Sequence, residues 1–369
     1  MKKATIGILL LLLLTGCWDQ MQLRHLNFVD IASIDFDEKS GNIVLRYIVT
    51  RLKGASQGGG NLVSETTELK GPSLVEAVGQ SDFIGRAPFL GVNTRIYTIS
   101  QSFASHDPIT KLTFLLKAPY AAINVPVVVF DGSLSKTLKV MKNQEEFSNE
   151  LYEFVLALEK NGIMSNVSMM RFIQSKEMQL EDIALPLLKK SDSEIVLKGA
   201  LLFRQGKNTR KKLDKDQVRM VQLLLGKDMG RQRLTGHMSE NDDERHSYYG
   251  VYVKKVDSKI TVHPETNGLP KVIFGVRLRI NSIEAGESVH TLNADTVNRI
   301  EKDMSKHMEE QAIETIKTLQ KANCDLLGIG KQLKAYHPNL WKSLHWRKDY
   351  PRLSIKPKFE VQISNPDTE

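Results

Sequence analysis

Residues 295–322 read DTVNRIEKDMSKHMEEQAIETIKTLQKA, and this stretch decides the architecture of the second half of the chain. Apolar side chains recur in it at steps of three and four residues, which is the spacing of one face of an α-helix. The opposite face is charged, so the pattern predicts a long helix with one packed side and one solvated side. The apolar stripe consists of Val297, Ile300, Met304, Met308, Ala312, Ile316 and Leu319. The face expected in solvent carries Arg299, Lys302, Asp303, Lys306, Glu309, Glu310, Glu314 and Lys317.

Two neighbouring segments supply a partner for this helix. Residues 247–283 alternate apolar and polar side chains, as the strands of a sheet with one buried face do. Residues 354–364, SIKPKFEVQIS, alternate in the same way near the end of the chain. An amphipathic helix derives most of its stability from packing. The sequence therefore predicts that the helix lies on a sheet formed by these segments.

The first half of the chain also shows grouped strands with helices between them. Residues 28–36 (FVDIASIDF) and 42–52 (NIVLRYIVTRL) predict an antiparallel pair, and residues 125–130 predict a strand buried on both faces. Residues 145–160 predict an amphipathic helix. Strands and helices do not alternate strictly. This favours the α+β class, with two to three domains whose mixed, largely antiparallel sheets pack against helices.

Shifts in composition near residue 190 and at 230–245 mark the expected domain boundaries. We expect a signal peptide at 1–16 and an N-terminal α+β domain at 17–190. A middle segment or small domain at 191–235 would precede a C-terminal α+β domain at 236–369. That last domain would contain the meander, the long helix and the terminal strand. The length of 369 residues suits two or three domains.

The N-terminus carries the pattern of a lipoprotein signal. Two lysines are followed by an apolar run at 6–14, about half the ~20 residues that a transmembrane helix needs. Leu14-Thr15-Gly16-Cys17 then matches a lipobox, in which small residues admit the peptidase and the thiol takes the lipid. We expect cleavage between Gly16 and Cys17, with Cys17 as the lipid attachment site. The alternatives are an ordinary signal peptide and a buried helix with a chance cysteine.

Composition excludes several classes of protein. Hydrophobic residues make up 41% of the chain and charged residues 25%, so the chain is neither disordered nor of low complexity. Two cysteines cannot build a disulfide-stapled scaffold or a cysteine-pair zinc site. With a lipid on Cys17, Cys324 would be a lone thiol in the core. The net charge is +8, or 49 − 43 = +6 without Lys2 and Lys3, and it is spread along the chain. This pattern does not predict nucleic-acid binding.

Motifs of catalysis are present only as fragments. The G-x-S-x-G match at 54–58 is followed by two more glycines, which cannot begin the helix of a nucleophile elbow. The S-x-x-K match at 133–136 has no K-T-G or S-D-N partner, and Ser133 suits a helix cap. Residues 328–331 (GIGK) lack the spacing of a phosphate-binding loop and suit a turn that ends the long helix. No histidine spacing suggests a metal ligand set. We therefore expect no catalytic residues, no metal and no cofactor.

Residues 341–352 (WKSLHWRKDYPR) form the richest aromatic and basic cluster of the sequence. Two interpretations stay open for it. It is a patch that contacts a membrane surface or a protein, or it is a packed helix face next to the last strand.

Several segments, taken in order, resemble one family. Cys17, the last residue of the lipobox, is followed directly by Trp18-Asp19, and Ala32-Ser33-Ile34-Asp35 lies in the first strand. Residues 199–203 (GALLF) form a strand in the middle. The long helix is followed by Asp325, Gly328 and Gly330, then by Trp341 and the terminal strand. This order is similar to that of the Ger(x)C lipoproteins, the C subunits of GerA-type spore germinant receptors.

The resemblance implies a non-catalytic, lipid-anchored subunit on the outer face of the inner spore membrane. It implies a larger A subunit and a multi-spanning B subunit as partners, so that nutrients trigger germination. It also implies three α+β domains, and Cys17 is the functional residue that carries over; the ligand-binding residues stay unknown. The alternative function is a solute-binding lipoprotein of a transporter, which would build two lobes around a cleft. A cell-wall enzyme is a third hypothesis, and it would need an activated nucleophile or paired carboxylates.

Overall fold

The structure of the chain is a computed structural model. It describes residues 27–53, 61–84, 89–119, 121–132, 134, 137, 144–191, 194–227, 233–237, 248–265, 268–285 and 294–364. The expected signal peptide at 1–16, the lipid site Cys17 and the glycine-rich loop at 54–60 lie outside the described residues. Ser133 and Lys136 lie outside them as well.

Nine strands of the described part of the chain belong to one large sheet. They are β1 (Asn27–Asp37), β2 (Asn42–Lys53), β3 (Asn61–Gly71), β4 (Phe89–Leu90), β5 (Ile96–Ser100), β6 (Val127–Phe130), β7 (Ile183–Ser191), β8 (Glu194–Arg204) and β9 (Lys207–Leu213). Their order is β3-β2-β1-β5-β6-β7-β8-β9, and the short β4 pairs with β1. The strands from β1 through β5 and β6 to β7 are parallel, whereas the pairs at both ends of the order are antiparallel. The expected antiparallel pair of the first two strands is confirmed.

Helices cover both faces of the large sheet. They are α1 (Leu74–Gly79), α2 (Gln101–Ser105), α3 (Pro108–Leu112), α4 (Gln144–Lys160) and α5 (Met169–Gln174). One face packs against α4, in a core that includes Val128 and Phe147. The other face packs against the remaining four helices, in a core that includes Val127 and Phe172. Successive residues of β6 thus enter different cores, which is why this strand is a continuous apolar run.

Four further strands among the described residues form a second sheet. They are β10 (Arg233–His237), β11 (Tyr248–His263), β12 (Lys271–Ala285) and β13 (Ser354–Ile363), in that order across the sheet. The first two pairs are antiparallel, and β12 pairs with β13 in parallel. The helices of this half are α6 (Lys215–Leu224), α7 (Ala294–Lys321), α8 (Ile329–Tyr336), α9 (Pro338–Ser343) and α10 (Trp346–Asp349). The combination of sheets and helices confirms the α+β class.

The long helix α7 packs as its sequence predicts. Six members of the apolar stripe, Ile300, Met304, Met308, Ala312, Ile316 and Leu319, are buried. They share one core with Val276 of β12 and Phe359 of β13. Val297, at the start of the stripe, is only half-buried. Burial of each large apolar side chain contributes about 1.5–3 kcal/mol, so this contact is a main source of stability for the second half.

The charged side of α7 is not wholly solvated, because part of it covers the edge of the second sheet. In a parallel pair, alternate residues of β13 turn their N–H groups away from β12. Side chains one helical turn apart on α7 accept these outward N–H groups. The pairs are Phe359 N with Glu309 Oε1 (2.9 Å), Val361 N with Ser305 Oγ (3.1 Å) and Ile363 N with Glu301 Oε1 (2.7 Å). Glu309 is therefore half-buried rather than free in solvent, and the edge cannot pair with another strand.

The segment 191–235 contributes to both halves. β8 and β9 extend the large sheet, whereas α6 packs in the core of the second half and β10 is the first strand of the second sheet. Asp214 begins α6 with a capping box, in which its side chain accepts from Gln217 N and the Gln217 side chain accepts from Asp214 N. The segment thus joins the two sheets.

Among the residues that the structure describes, no helix combines the length and the apolar content needed to cross a bilayer.

Candidate functional site

A buried ion pair lies where the two halves meet. Asp182 directly precedes β7, and its side chain is completely buried. Arg347 of α10 donates two hydrogen bonds to it, from Nη1 to Oδ2 (2.6 Å) and from Nη2 to Oδ1 (2.9 Å). Arg347 also donates to the Gln179 carbonyl oxygen at 2.5 Å. This two-pronged geometry is the strongest form of an arginine–carboxylate contact, and here it connects residues that are 165 positions apart.

A second buried carboxylate adjoins the pair. Asp182 Oδ2 also accepts from the backbone N–H of Asp325 at 2.7 Å. The Asp325 carboxylate in turn accepts from Ile329 N (2.9 Å) and Gly330 N (2.7 Å) in the first turn of α8. Burial raises the pKa of Asp325 to about 6, although these two N–H groups act in the opposite direction. We refer to Asp182, Asp325 and Arg347 as the junction cluster.

The junction cluster changes the interpretation of residues 328–331. Gly328 has a φ of 71° and immediately precedes α8, so this segment begins a helix and does not end α7. Six residues, 322–327, separate the end of α7 from Gly328. The Asp325 carboxylate occupies the position at the helix N-terminus that an anion would take. The glycines therefore serve the fold and not a bound phosphate.

Aromatic rings enclose the cluster. Trp346 and Tyr350 are buried with their centroids 5.3 Å apart, and the Tyr350 hydroxyl donates to the Cys324 carbonyl oxygen at 3.0 Å. A Cβ on Gly330 would lie 2.7 Å from the Trp346 ring, so the ring packs directly on the glycine. The half-buried Trp341 lies 5.6 Å from Trp346. Of the two interpretations of the 341–352 cluster, the packed face therefore describes Trp346 and Tyr350.

Cys324 is a core residue, as expected. It is fully buried, and burial raises the pKa of its thiol well above the ordinary value. Its Sγ lies 3.8 Å from the Phe203 carbonyl oxygen. A nucleophilic cysteine needs a lowered pKa and access to substrate, so the environment of Cys324 is that of an inert thiol.

A surface groove of about 750 Å³ borders the cluster. It is lined by Glu177, Met178, Gln179, Leu180, Glu181, Lys331, Lys334, Ala335 and Trp341. Glu181 accepts from Arg171 at 2.6 Å and from Lys331 at 3.1 Å. Partial burial alone would raise the pKa of Glu181, but these two hydrogen bonds outweigh it and hold the pKa below its ordinary value. An ionised, paired carboxylate is a poor general acid, so the groove offers surface for binding rather than proton transfer.

The described residues include only some of the sites predicted from the sequence. Gly16 and Cys17 lie outside the described residues, and Trp341 lines the groove. Within the described ranges, no group of three His, Cys, Asp or Glu side chains is placed to hold a metal ion. Sequence reasoning missed Asp182 and Arg347, because nothing in the local pattern links them. The one usable signal was the Asp325–Gly328–Gly330 spacing, which marks a capped helix start.

Comparisons with known proteins cover almost the whole chain. A family model described as "Spore germination protein N-terminal domain" matches residues 19–190. A second, described as "Spore germination B3/ GerAC like, C-terminal", matches residues 198–367. The junction cluster therefore joins the two matched regions.

Curated relatives and a solved structure agree with these matches. Spore germination protein GerQC of Bacillus cereus is 20% identical over 365 residues, which cover 99% of this chain and 98% of that protein. Spore germination protein KC of Bacillus subtilis (strain 168) is 22% identical over 402 aligned positions, covering 98% and 95%. The crystal structure of the GerBC protein matches with a TM-score of 0.60 at 14% identity, over 90% of this chain and 97% of that one. The chain thus belongs to the GerAC-like family of spore germination proteins, which confirms the family that the sequence resembles.

Proposed function

We propose that this chain is a non-catalytic, lipid-anchored subunit of a nutrient germinant receptor in the inner spore membrane. The observation that carries the proposal is the succession of two spore germination family models along residues 19–190 and 198–367. In the proposed complex the chain works with a larger A subunit and a multi-spanning B subunit. Nutrients would then trigger germination through the assembly.

The chemistry of the described residues supports a role without catalysis. Asp182 and Glu181 are held by arginine or lysine side chains, and burial keeps Cys324 in its thiol form. A general base needs an available carboxylate or imidazole next to a reacting group. The groove and the junction cluster offer paired charges instead.

A solute-binding lipoprotein of a transporter is the alternative, and the architecture supports it less well. Such a protein closes two lobes about a hinge, with its ligand between them. In the described chain, β7 and β8 pair antiparallel in one sheet at the point where the two family models meet. The buried contact between Asp182 and Arg347 adds a second connection close by. Both features favour a fixed arrangement over a hinge.

The partners provide the test of the receptor proposal. We expect a tagged form of the chain, extracted from spore membranes with detergent, to co-purify with an A and a multi-spanning B subunit. Deleting the gene should abolish germination in response to the nutrients of that receptor, and the wild-type gene should restore it. Co-purification with the ATP-hydrolysing subunit of a transporter, together with normal nutrient germination in the deletion strain, would support the alternative.

The membrane location rests on Cys17. Because no described helix can cross a bilayer, Cys17→Ala is expected to move the protein from the membrane fraction to the soluble fraction. Two acyl chains on the wild-type cysteine suffice for stable attachment. Fractionation of spore lysates with and without carbonate washing measures the difference, with Ser56→Ala as a control that should stay in the membrane. A Cys17→Ala protein that resists the carbonate wash contradicts lipid anchoring.

A further inference from the structure

The four-stranded sheet has one covered face and one open face. The helices α6 and α7 pack on the covered face, against residues such as Val276 and Phe359. On the opposite face, Arg277, Arg279 and Lys358 are exposed. Among the described elements, no helix lies over these side chains. We call this the open face. It consists of the outward residues of β11 between 255 and 263, of β12 between 271 and 279 and of β13 between 354 and 362, and no helix in the described part of the chain covers it.

Part of the charge on the open face is neutralised within it. Lys255 Nζ lies 3.0 Å from Asp257 Oδ1, and Arg279 Nη2 lies 3.9 Å from Asp257 Oδ2. Arg277 Nε lies 3.1 Å from Glu360 Oε2. These two acids are the only ones among the outward residues of the three stretches.

Four further lysines share the open face and have no acidic partner within the described ranges. They are Lys259, Lys271, Lys356 and Lys358. Together with the three paired cations they give seven basic and two acidic side chains, a net charge of 7 − 2 = +5. Like charges on neighbouring positions of a sheet repel each other. This repulsion lowers the folding stability of the isolated protein, and contact with a negatively charged surface would offset it.

The strand register places a glycine at the centre of the open face and so leaves a depression there. Gly275 of β12 lies opposite Lys259 of β11 on one side and opposite Lys358 of β13 on the other. Because glycine has no side chain, a depression of about 540 Å³ opens at this place. Its lining includes Lys259, Arg277 and Lys358 together with the acidic Asp257, Glu309 and Glu360. Strands are spaced by roughly 4.8 Å, so the two lysine backbones are roughly 10 Å apart.

We propose that the open face docks on the phosphate headgroups of an anionic bilayer. A protein partner would need an apolar centre with aromatic anchors, and lysine is depleted at such centres. The outward residues of the three stretches include no Trp, Tyr or Phe. Flexible lysine side chains suit a mobile, delocalised layer of phosphate instead. This proposal deepens the membrane location proposed above by giving the protein an orientation on the membrane.

The length of chain between Cys17 and the first strand limits how far the fold can lie from a lipid anchor. Cys17 precedes the first described residue, Asn27, by ten positions, a distance of at most ~35 Å when fully extended. A lipid on Cys17 would therefore hold Asn27 within that distance of the bilayer, and electrostatic attraction would act on the basic side chains that come within about 10 Å of the headgroups, the Debye length at 0.1 M salt. A lipid and a basic patch together are a common pair of membrane signals.

The test uses the chain from residue 17 onward with Cys17→Ser, so that no lipid is present. Its binding to phosphatidylcholine vesicles containing about one-third phosphatidylglycerol is compared with binding to pure phosphatidylcholine at about 0.1 M salt. The decisive variant is Lys259→Gln/Lys356→Gln/Lys358→Gln, which removes three charges and keeps the stems. The control is Lys207→Gln/Lys211→Gln/Lys212→Gln on β9, which gives the same net charge. All six lysines are exposed, so both variants should fold.

We expect the parent chain and the control to bind the anionic vesicles and not the neutral ones. Each lysine near an anionic surface contributes about fivefold in affinity, so the variant of the open face should bind about 100-fold more weakly. Equal losses of affinity in the open-face variant and the control would show that only net charge matters. Equal binding to the anionic and the neutral vesicles would show that phosphate charge does not matter. Either result overturns the proposal. No vesicle binding, with loss of receptor subunits in pull-downs of the open-face variant, would assign the face to an acidic protein. Because the assay contains no lipid on residue 17, its failure leaves the Cys17 prediction intact.

Discussion

Gly199→Ala is expected to lower the free energy of unfolding by about 3–5 kcal/mol, a large share of the stability of an ordinary domain. Gly199 has a φ of +142°, which residues with a side chain rarely adopt. A Cβ there would overlap the Leu213 carbonyl oxygen and lie 3.3 Å from Asp214 Cα. Strained backbone and forced contact each cost about 1–3 kcal/mol. Neither the backbone strain nor the contact can be relieved easily, because Leu213 is the last residue of β9 and α6 begins only two residues later.

The close contact at Gly199 has a cause in the sheet. Leu187 pairs with Gly199 and Leu188 pairs with Leu197, so Lys198 is an extra residue that forms a bulge in β8. The bulge brings the strand against the end of β9. Urea unfolding of the unlipidated chain, monitored by circular dichroism, measures the loss of stability expected for Gly199→Ala.

Gly41→Ala is the matched control for this experiment. Gly41 has a φ of +69°, and a Cβ there would meet no atom within 4 Å. Gly41→Ala should therefore lower the free energy of unfolding only through backbone strain, by about 1 kcal/mol. If both variants lost the same stability, the contact with Leu213 would not be the cause.

Asp182→Ala is expected to lower the free energy of unfolding by about 3–5 kcal/mol. The change leaves Arg347 without its carboxylate at a site where the arginine side chain is only 25% exposed. It also leaves the backbone N–H of Asp325 without an acceptor. A buried donor that loses its partner incurs its full desolvation penalty. Urea unfolding at neutral pH measures the effect.

A double-mutant cycle separates the ion pair from general damage at this site. With Arg347→Ala as the second change, we expect a coupling energy of about 2–3 kcal/mol, since the two side chains share two hydrogen bonds. Arg347→Lys should recover little of the stability lost in Arg347→Ala, because a lysine cannot make the two-pronged contact. Glu314→Gln removes an exposed pair with Lys317 and should leave the free energy of unfolding nearly unchanged, because solvent and salt screen such a pair. A coupling energy near zero would mean that Asp182 and Arg347 do not stabilise the fold as a pair.

Much of the fold could be predicted because its signals are local. The stripe from Ile300 to Leu319 repeats at helical spacing, and β13 alternates at the spacing of a strand. Both patterns arise from the geometry of one element, in which side chains of the same face recur at fixed steps. The family was also within reach, because Cys17-Trp18-Asp19 is a short contiguous signature.

The candidate site was harder to predict, for a physical reason. Asp182 and Arg347 are 165 residues apart, and no periodic pattern encodes a contact between two separate elements. The half-buried Glu309 shows the same limit. Its spacing on α7 assigns it to the solvated face, yet the Phe359 N–H lies 2.9 Å from its carboxylate.

The sequence by itself determined the element types, the apolar faces, the α+β class and the family. These follow from hydrophobic burial and backbone geometry, which act over a few residues. Only the tertiary structure decided that β8 and β9 extend the large sheet and that Asp325 caps α8. It also decided that the outward lysines of β11 and β13 gather around Gly275. Those outcomes depend on strand register and on long-range packing, where one position of shift would exchange the buried and exposed faces.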